Sequence, residues 1–278
     1  MSTYLTHGFV LRVSSYRDND RLYTVYSREY GKFKAVAAGS QKIGSKLAPH
    51  LLPFATIDIM AARGRTIDRL ASANVRKVYL KPPYHLPTII LASSFLEIVD
   101  TLTRDGQTDY RLFDLLDSYL SELAALLSIN DKFWREQART KLMQFIIEVL
   151  HLTGLMVYLN KCDICGQVLN GEINFSWTRH GFLHKECTLA ADSTVVLPNE
   201  VREWLSQLYP PAQKTVRSRR MDDAPSGDAG RINPWRLYYQ PANLAPFIPN
   251  VGLVFLTDYL RGQTGQELRA LKVLKSVL

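Results

Sequence analysis

The sequence predicts an α+β multidomain chain: an N-terminal five-stranded β-barrel, then an α-helical bundle that carries a small metal-binding module. Three observations lead there. Short β-branched and aromatic runs fill the first 81 residues, helical apolar stripes replace them afterwards, and all three cysteines fall in one window of the second half. At 278 residues the chain is long enough for two or three domains with real cores. A hydrophobic share of 46% excludes a disordered chain, and 15 Gly with 13 Pro exclude a collagen-like one.

The expected strands are residues 8–13, 21–26, 32–37 and 56–60, with a fifth from Arg69 to Tyr79. The second and fourth alternate apolar with polar residues, the period of a half-buried strand. Gly31 sits where the second and third strands must turn, free to take positive φ. Five short strands in about 80 residues suit a small closed barrel, with the OB-fold as the leading candidate and an SH3-like barrel as an alternative of similar pattern.

The segment from Lys81 to Tyr84, with Pro82 and Pro83, breaks the pattern. Pro87 then opens a helix expected to run to about Arg104. A second helix places Leu112, Leu116, Tyr119, Leu123 and Leu126 on one face. The third has Asp131 as an N-cap, a stripe through Trp134, Ala138, Leu142 and Phe145, and Gly154 as its stop. Pro198 is expected to start a helix to about Tyr209, and residues 210–233 read as a mobile loop. A helix from Val251 to Arg261, closed by Gly262, precedes a last helix opened by a capping box at Thr264 and Glu267. The expected organisation is therefore a nucleic-acid-binding domain over 1–81 and a helical domain over 82–160. A zinc module occupies 161–190, and the helical domain continues over 191–278.

Cys162-Asp-Ile-Cys165-Gly166 is a knuckle, two thiolates with a glycine that lets the backbone turn beneath a metal. His184-Lys-Glu-Cys187 repeats the spacing with an imidazole in one place. Two such pairs supply the four ligands of a tetrahedral Zn2+, and a closed set makes the site structural rather than catalytic. His180 is the alternative fourth ligand, at the cost of the knuckle spacing. An iron–sulfur cluster is a weaker alternative, since it takes four cysteines as a rule. Three cysteines, odd in number, cannot form a disulfide framework, so a reducing cytoplasm is the expected compartment.

The net charge of +8 is unevenly placed. Residues 1–81 hold 14 Lys and Arg against 5 Asp and Glu, a balance of +9, whereas the rest carries 20 against 21. A polyanion is the natural partner of such a segment, although a basic surface kept for solubility has the same composition. Basic and aromatic residues interleave here, as in surfaces that track a phosphate backbone and stack unpaired bases. The candidate contacts are Arg12, Tyr16, Arg17, Lys32, Lys34, Lys42, Lys46, Arg63, Arg65, Arg69 and Arg76. Residues 39–46 mimic a phosphate loop, but Ser45 precedes Lys46 and Pro49 comes soon after, so nucleotide binding is rejected. His7, His50, His85 and His151 are isolated and no catalytic motif occurs, which favours a binding protein over an enzyme. No apolar run approaches the ~20 residues of a membrane span, and the N-terminus lacks a signal-peptide pattern.

In combination these motifs resemble the RecO family of bacterial recombination mediators. The resemblance rests on Gly8, Tyr16, Asp20, Tyr30-Gly31-Lys32, Ala38-Gly39-Ser40 and Lys42 in the opening strands. It continues through Leu152, Gly154, Leu159, the cysteine pairs and Gly181, then Tyr259 and the segment from Leu268 to Lys272. Many zinc-bearing members have cysteine where this chain has His184. The resemblance implies a non-enzymatic, nucleoid-associated protein that binds single- and double-stranded DNA and anneals complementary strands. It further implies work with RecR in loading RecA onto DNA coated by single-strand-binding protein, with no nucleotide cofactor and no membrane. The alternative from another class is an RNA-binding or ribosome-associated zinc protein with an OB-fold.

Overall fold

The computed structural model describes residues 2–82, 85–126, 131–156, 159, 161–197, 202 and 250–277. Its contacts form two compact units, residues 1–156 with 255–278, and residues 157–254.

The first unit begins with a closed barrel of β1 (Thr3–Arg17), β2 (Asp20–Ser27), β3 (Gly31–Ala37), β4 (Ala55–Ala62) and β5 (Asp68–Val78). The strand order is β1-β2-β3-β5-β4, and β4 returns to β1. β1 is long enough to serve two neighbours, pairing through Thr3–Phe9 with β4 and through Gly8–Arg17 with β2. A bulge between Val10 and Arg12 bends it from one partner to the other. The single parallel contact, Ala35 and Val36 against Asp68 and Arg69, closes the barrel. This is the connectivity of an OB-fold, which removes the SH3-like alternative. Inside, Val25, Ile57 and Ile59 are fully buried, while Ala35, Ala55 and Ala61 supply small side chains where the barrel is narrow.

Helices α1 (Leu86–Leu102), α2 (Tyr110–Leu126) and α3 (Asp131–Leu152) pack through Phe95, Tyr119 and Phe145, one ring from each. The Phe95–Phe145 centroids lie 4.4 Å apart and Tyr119 meets both edge-on. Gly154 ends α3 as expected. At φ +73 it lets its own N–H reach His151 O and that of Leu155 reach Leu150 O, a Schellman motif. α1 stops at Leu102, short of Arg104, because Thr103 turns extended.

The C-terminal helices correct two expectations. α4 (Asn250–Thr264) passes Gly262 and is turned by Gly265 at φ +67. The Thr264 hydroxyl donates back to Leu260 O instead of capping the last helix. The N-terminus of that helix, α5 (Arg269–Val277), is capped from α1: Glu97 accepts from the N–H of Arg269 at 2.9 Å and of Ala270 at 2.7 Å.

Barrel and helices meet across aromatic contacts. Phe9 lies 4.9 Å from Phe113, the Tyr26 hydroxyl donates to Asp109 O at 3.0 Å, and Tyr79 donates to Asp117. The α1–α2 connection runs along the edge of β3, bridging Asp105 to Lys32. Gly31, at φ +65, is required there, since a Cβ would stand 2.0 Å from Gln107 O.

The second unit holds a three-stranded antiparallel sheet, order β7-β6-β8, of β6 (Ile173–Ser176), β7 (Gly181–His184) and β8 (Thr194–Leu197). Phe175 packs between Trp177 and Phe182. These four-residue strands were not expected from the sequence; they are too short to show a period. Apart from Arg202, the helix expected over 198–209 lies outside the described residues, as does the loop over 210–233 with its Arg217, Arg219 and Arg220. No helix among the described residues is long and apolar enough to cross a membrane.

Candidate metal centre and basic barrel face

The knuckle is a tight turn. Gly166, at φ +69, donates to Cys162 O, and the Cys162 N–H returns to Gln167 O. The turn lies against β7, where the Asp163 N–H donates to Phe182 O at 3.0 Å. Gly181 is needed for that approach, because a Cβ would collide with the Asp163 carboxylate. β7 thereby delivers His184 to the knuckle, and the short turn after it delivers Cys187.

One ligand atom from each of Cys162, Cys165, His184 and Cys187 lies within 4.8 Å of the others. His184 Nδ1 is 3.4 Å from Cys165 Sγ, while Nε2 is 3.0 Å from Val168 O. Only a protonated nitrogen can face a carbonyl, so Nε2 carries the hydrogen and Nδ1 presents its lone pair to the thiols, as metal-bound imidazoles do. His180 occupies the β6–β7 turn at φ +53 and is outside the cluster. Burial pushes the Cys162 thiol up, but the N–H groups of Cys165, His184 and Ile164 outweigh it and bring it down to about 6. Cys187 goes the other way, to about 11, through burial and the neighbouring sulfurs. Three soft donors and one oriented imidazole fit a metal ion of the zinc kind.

On the barrel the candidate cations separate into two sets. Arg12 pairs with Asp100 at 3.3 Å and Lys34 with Asp105 at 3.1 Å. The Lys32 side chain is only 10% exposed, and its ammonium donates to Asp100 O and Thr103 O, both at 2.6 Å. It caps the C-terminus of α1 and stitches barrel to helices. The expectation that Lys32 meets phosphate is therefore corrected: its hydrogen-bond donors are spent on the protein itself. Arg76 pairs with Asp58 at 3.5 Å on the surface.

Arg17, Lys42, Lys46, Arg65 and Arg69 are exposed and have no ion-pair partner among the described residues. Arg17 and Lys42 are brought to one end of the barrel. Gln41 donates from its side chain to Asp20 O and from its backbone to Asn19 O, and Gly39 donates to the Asp20 carboxylate. The loop after β3 is thus pinned to the β1–β2 turn. Tyr16, 40% exposed, lies under the Arg17 guanidinium at 5.3 Å. Arg69 sits on the neighbouring stretch, opposite Val36. Arg63 lies at the β4–β5 turn over two tyrosine rings. Arg21, not among the candidate contacts, is also exposed, at the start of β2 and paired in register with Ala37, just before the pinned loop. Sequence reasoning did not show that Asp100 and Asp105 neutralise three of the cations; their contact with β3 exists only in the fold.

A basic OB barrel docked on helices, with a Cys3His cluster able to hold a metal in the same chain, defines a multidomain OB-fold protein with a candidate metal module. Family models carry this further. "Recombination protein O N terminal" matches residues 1–79 and "Recombination protein O C terminal" matches residues 84–232. The chain belongs to the RecO family of DNA repair proteins. It is 31% identical over 200 residues to the DNA repair protein RecO of Myxococcus xanthus, covering 71% of this chain and 78% of that one. To the DNA repair protein RecO of Rubrobacter xylanophilus it is 28% identical over 227 residues, 81% and 88% of the two chains. To that of Alkaliphilus metalliredigens it is 27% identical over 182 residues, 66% and 71%.

Proposed function

We propose that this chain is a DNA-binding recombination mediator, active in the cytoplasm at the nucleoid. It binds single- and double-stranded DNA through the barrel, anneals complementary single strands, and with RecR helps load RecA onto DNA coated by single-strand-binding protein. The observation that supports this most directly is the set of exposed, unpaired cations on an OB barrel in a RecO-family chain. Such cations release counterions from two phosphate backbones and lower the repulsion between them, while base edges stay free to pair. Arg17, Lys42, Lys46, Arg65 and Arg69 are the primary contacts, with Tyr16 and Arg63 stacking; Arg12, Lys34 and Arg76 contribute after release from their carboxylates.

Cys162, Cys165, His184 and Cys187 hold one structural Zn2+, which clips the knuckle to the β6–β7–β8 sheet. The work needs no bond chemistry and no nucleotide. A strand-annealing assay without ATP, with and without RecR, tests the reading. Annealing that weakens steeply with salt is expected; a protein that neither binds nor anneals DNA at low salt contradicts it. A strong preference for RNA over DNA of matched sequence would move the reading to an RNA-binding zinc protein.

A further inference from the structure

Two turns at the barrel's edge build a platform that no packing requirement explains. In the β2–β3 turn, the buried Ser27 hydroxyl donates to Gly31 O at 3.3 Å and accepts from the Tyr30 N–H at 3.0 Å. The turn is locked with the Tyr30 ring outward, 36% exposed. In the β4–β5 turn, Arg63 donates from its backbone to Ser2 O at 2.9 Å. Asp68 accepts from the Gly64 N–H at 3.0 Å and from the Tyr4 hydroxyl at 2.5 Å. Gly64 admits no side chain, since a Cβ would lie 1.9 Å from Ile67 O.

These locks bring three flat groups together. The Tyr4 and Tyr30 centroids are 4.7 Å apart, and the Arg63 guanidinium lies 5.1 Å from one and 5.8 Å from the other. Tyr4 is backed by Phe33. Asp68, the carboxylate beside them, is occupied by Tyr4 and Gly64, and Arg63 has no ion-pair partner among the described residues. An exposed guanidinium therefore lies over two rings tilted 55° to each other, with no carboxylate paired to it among the described residues. Arg65, two residues on, is exposed and unpaired as well.

We propose that Tyr30 and Arg63, backed by Tyr4, form a stacking site for one unpaired nucleobase, with Arg65 neutralising the adjoining phosphate. A cationic plane on a rigid aromatic base matches the face of any nucleobase and does not read its edge, so the site is indifferent to sequence. In an intact duplex the stacked neighbours already cover both faces of every internal base, so the platform selects single strands. This inference rests on the DNA-binding reading and adds to it how the barrel tells single-stranded from duplex DNA.

The test compares the full-length protein with Tyr30→Leu, Tyr30→Phe and Arg63→Lys, using an unstructured oligothymidine and a blunt duplex at fixed salt. Tyr30→Leu and Arg63→Lys are expected to weaken oligothymidine binding by about fivefold or more, the lower end of the worth of one stacked base, with duplex affinity unchanged. Tyr30→Phe keeps the ring and is expected to bind like the parent. Arg63→Lys keeps the charge, so its salt dependence is expected to match the parent's. Equal losses on both DNAs, or no loss on either, overturn the platform while DNA binding itself stands. A parent protein that binds neither DNA overturns the underlying reading, and a matching thermal melt for each variant separates loss of site from loss of fold.

Discussion

The barrel and the cysteine module hold together by different means. The barrel encloses a continuous apolar interior, with Val25, Ile57 and Ile59 fully buried, and its edges are closed by strand pairing. The module has three strands of four residues around Phe175, and Ile164, Val168, Leu189, Val195 and Val196 remain exposed. So small a sheet gains too little from burial to offset chain entropy, and on the proposed reading a metal held by the three thiols and the imidazole supplies the missing cohesion. On that reading one region is stabilised by area and the other by ligation. They should fail under different insults.

The largest expected effect comes from taking the metal away. Zinc ligation of this kind contributes on the order of 10 kcal/mol. Chelation, or Cys165→Ser, is expected to open the region 161–197 to protease while 1–156 stays protected. Uniform protection of both regions would break the contrast. Acid should do the same, because protons compete for the ligands. The Cys187 thiol, pushed up to about 11 without metal, must lose its proton to bind, so metal affinity rises with pH and fails as pH falls. Proton release on titration with Zn2+ checks the sign.

A smaller effect is expected from the barrel's own core. Ile57→Ala removes a fully buried side chain and should cost about 2–5 kcal/mol in denaturant unfolding, with zinc content unchanged. Smaller again is Lys32→Met. It deletes the two 2.6 Å bonds to α1's terminal carbonyls, worth about 1.5–3 kcal/mol, and leaves DNA affinity of the folded protein near the parent's. A large loss of DNA binding with stability intact would return Lys32 to the contact surface.

The sequence was most legible where information is local. Alternating apolar residues disclosed β2 and β4, Gly31 and Gly154 marked real turns, and the paired spacing anticipated that Cys162, Cys165, His184 and Cys187 come together. It was least legible where a partner lies far along the chain. The cap of α5 comes from Glu97, on a helix whose sequence is separated from it by most of the chain, so the local Thr264–Glu267 pattern was misleading. The same limit applies to charge. Nothing near Lys32 or Lys34 in sequence announces Asp100 and Asp105, yet these decide which part of the +9 is available. Counting bases located the excess charge in the barrel, and only the fold distinguished cations paired with the helices from cations without an ion-pair partner among the described residues.

That distinction is the central claim, and a salt titration tests it most directly. DNA affinity is measured against salt for the parent and for a variant with Arg17→Gln, Lys42→Gln and Arg69→Gln. Each lost phosphate contact removes about 0.7 from the slope on a single strand, so the slope should fall by about two, with the melting temperature held. An unchanged slope and affinity would show that the free face of the barrel is not where the protein meets DNA.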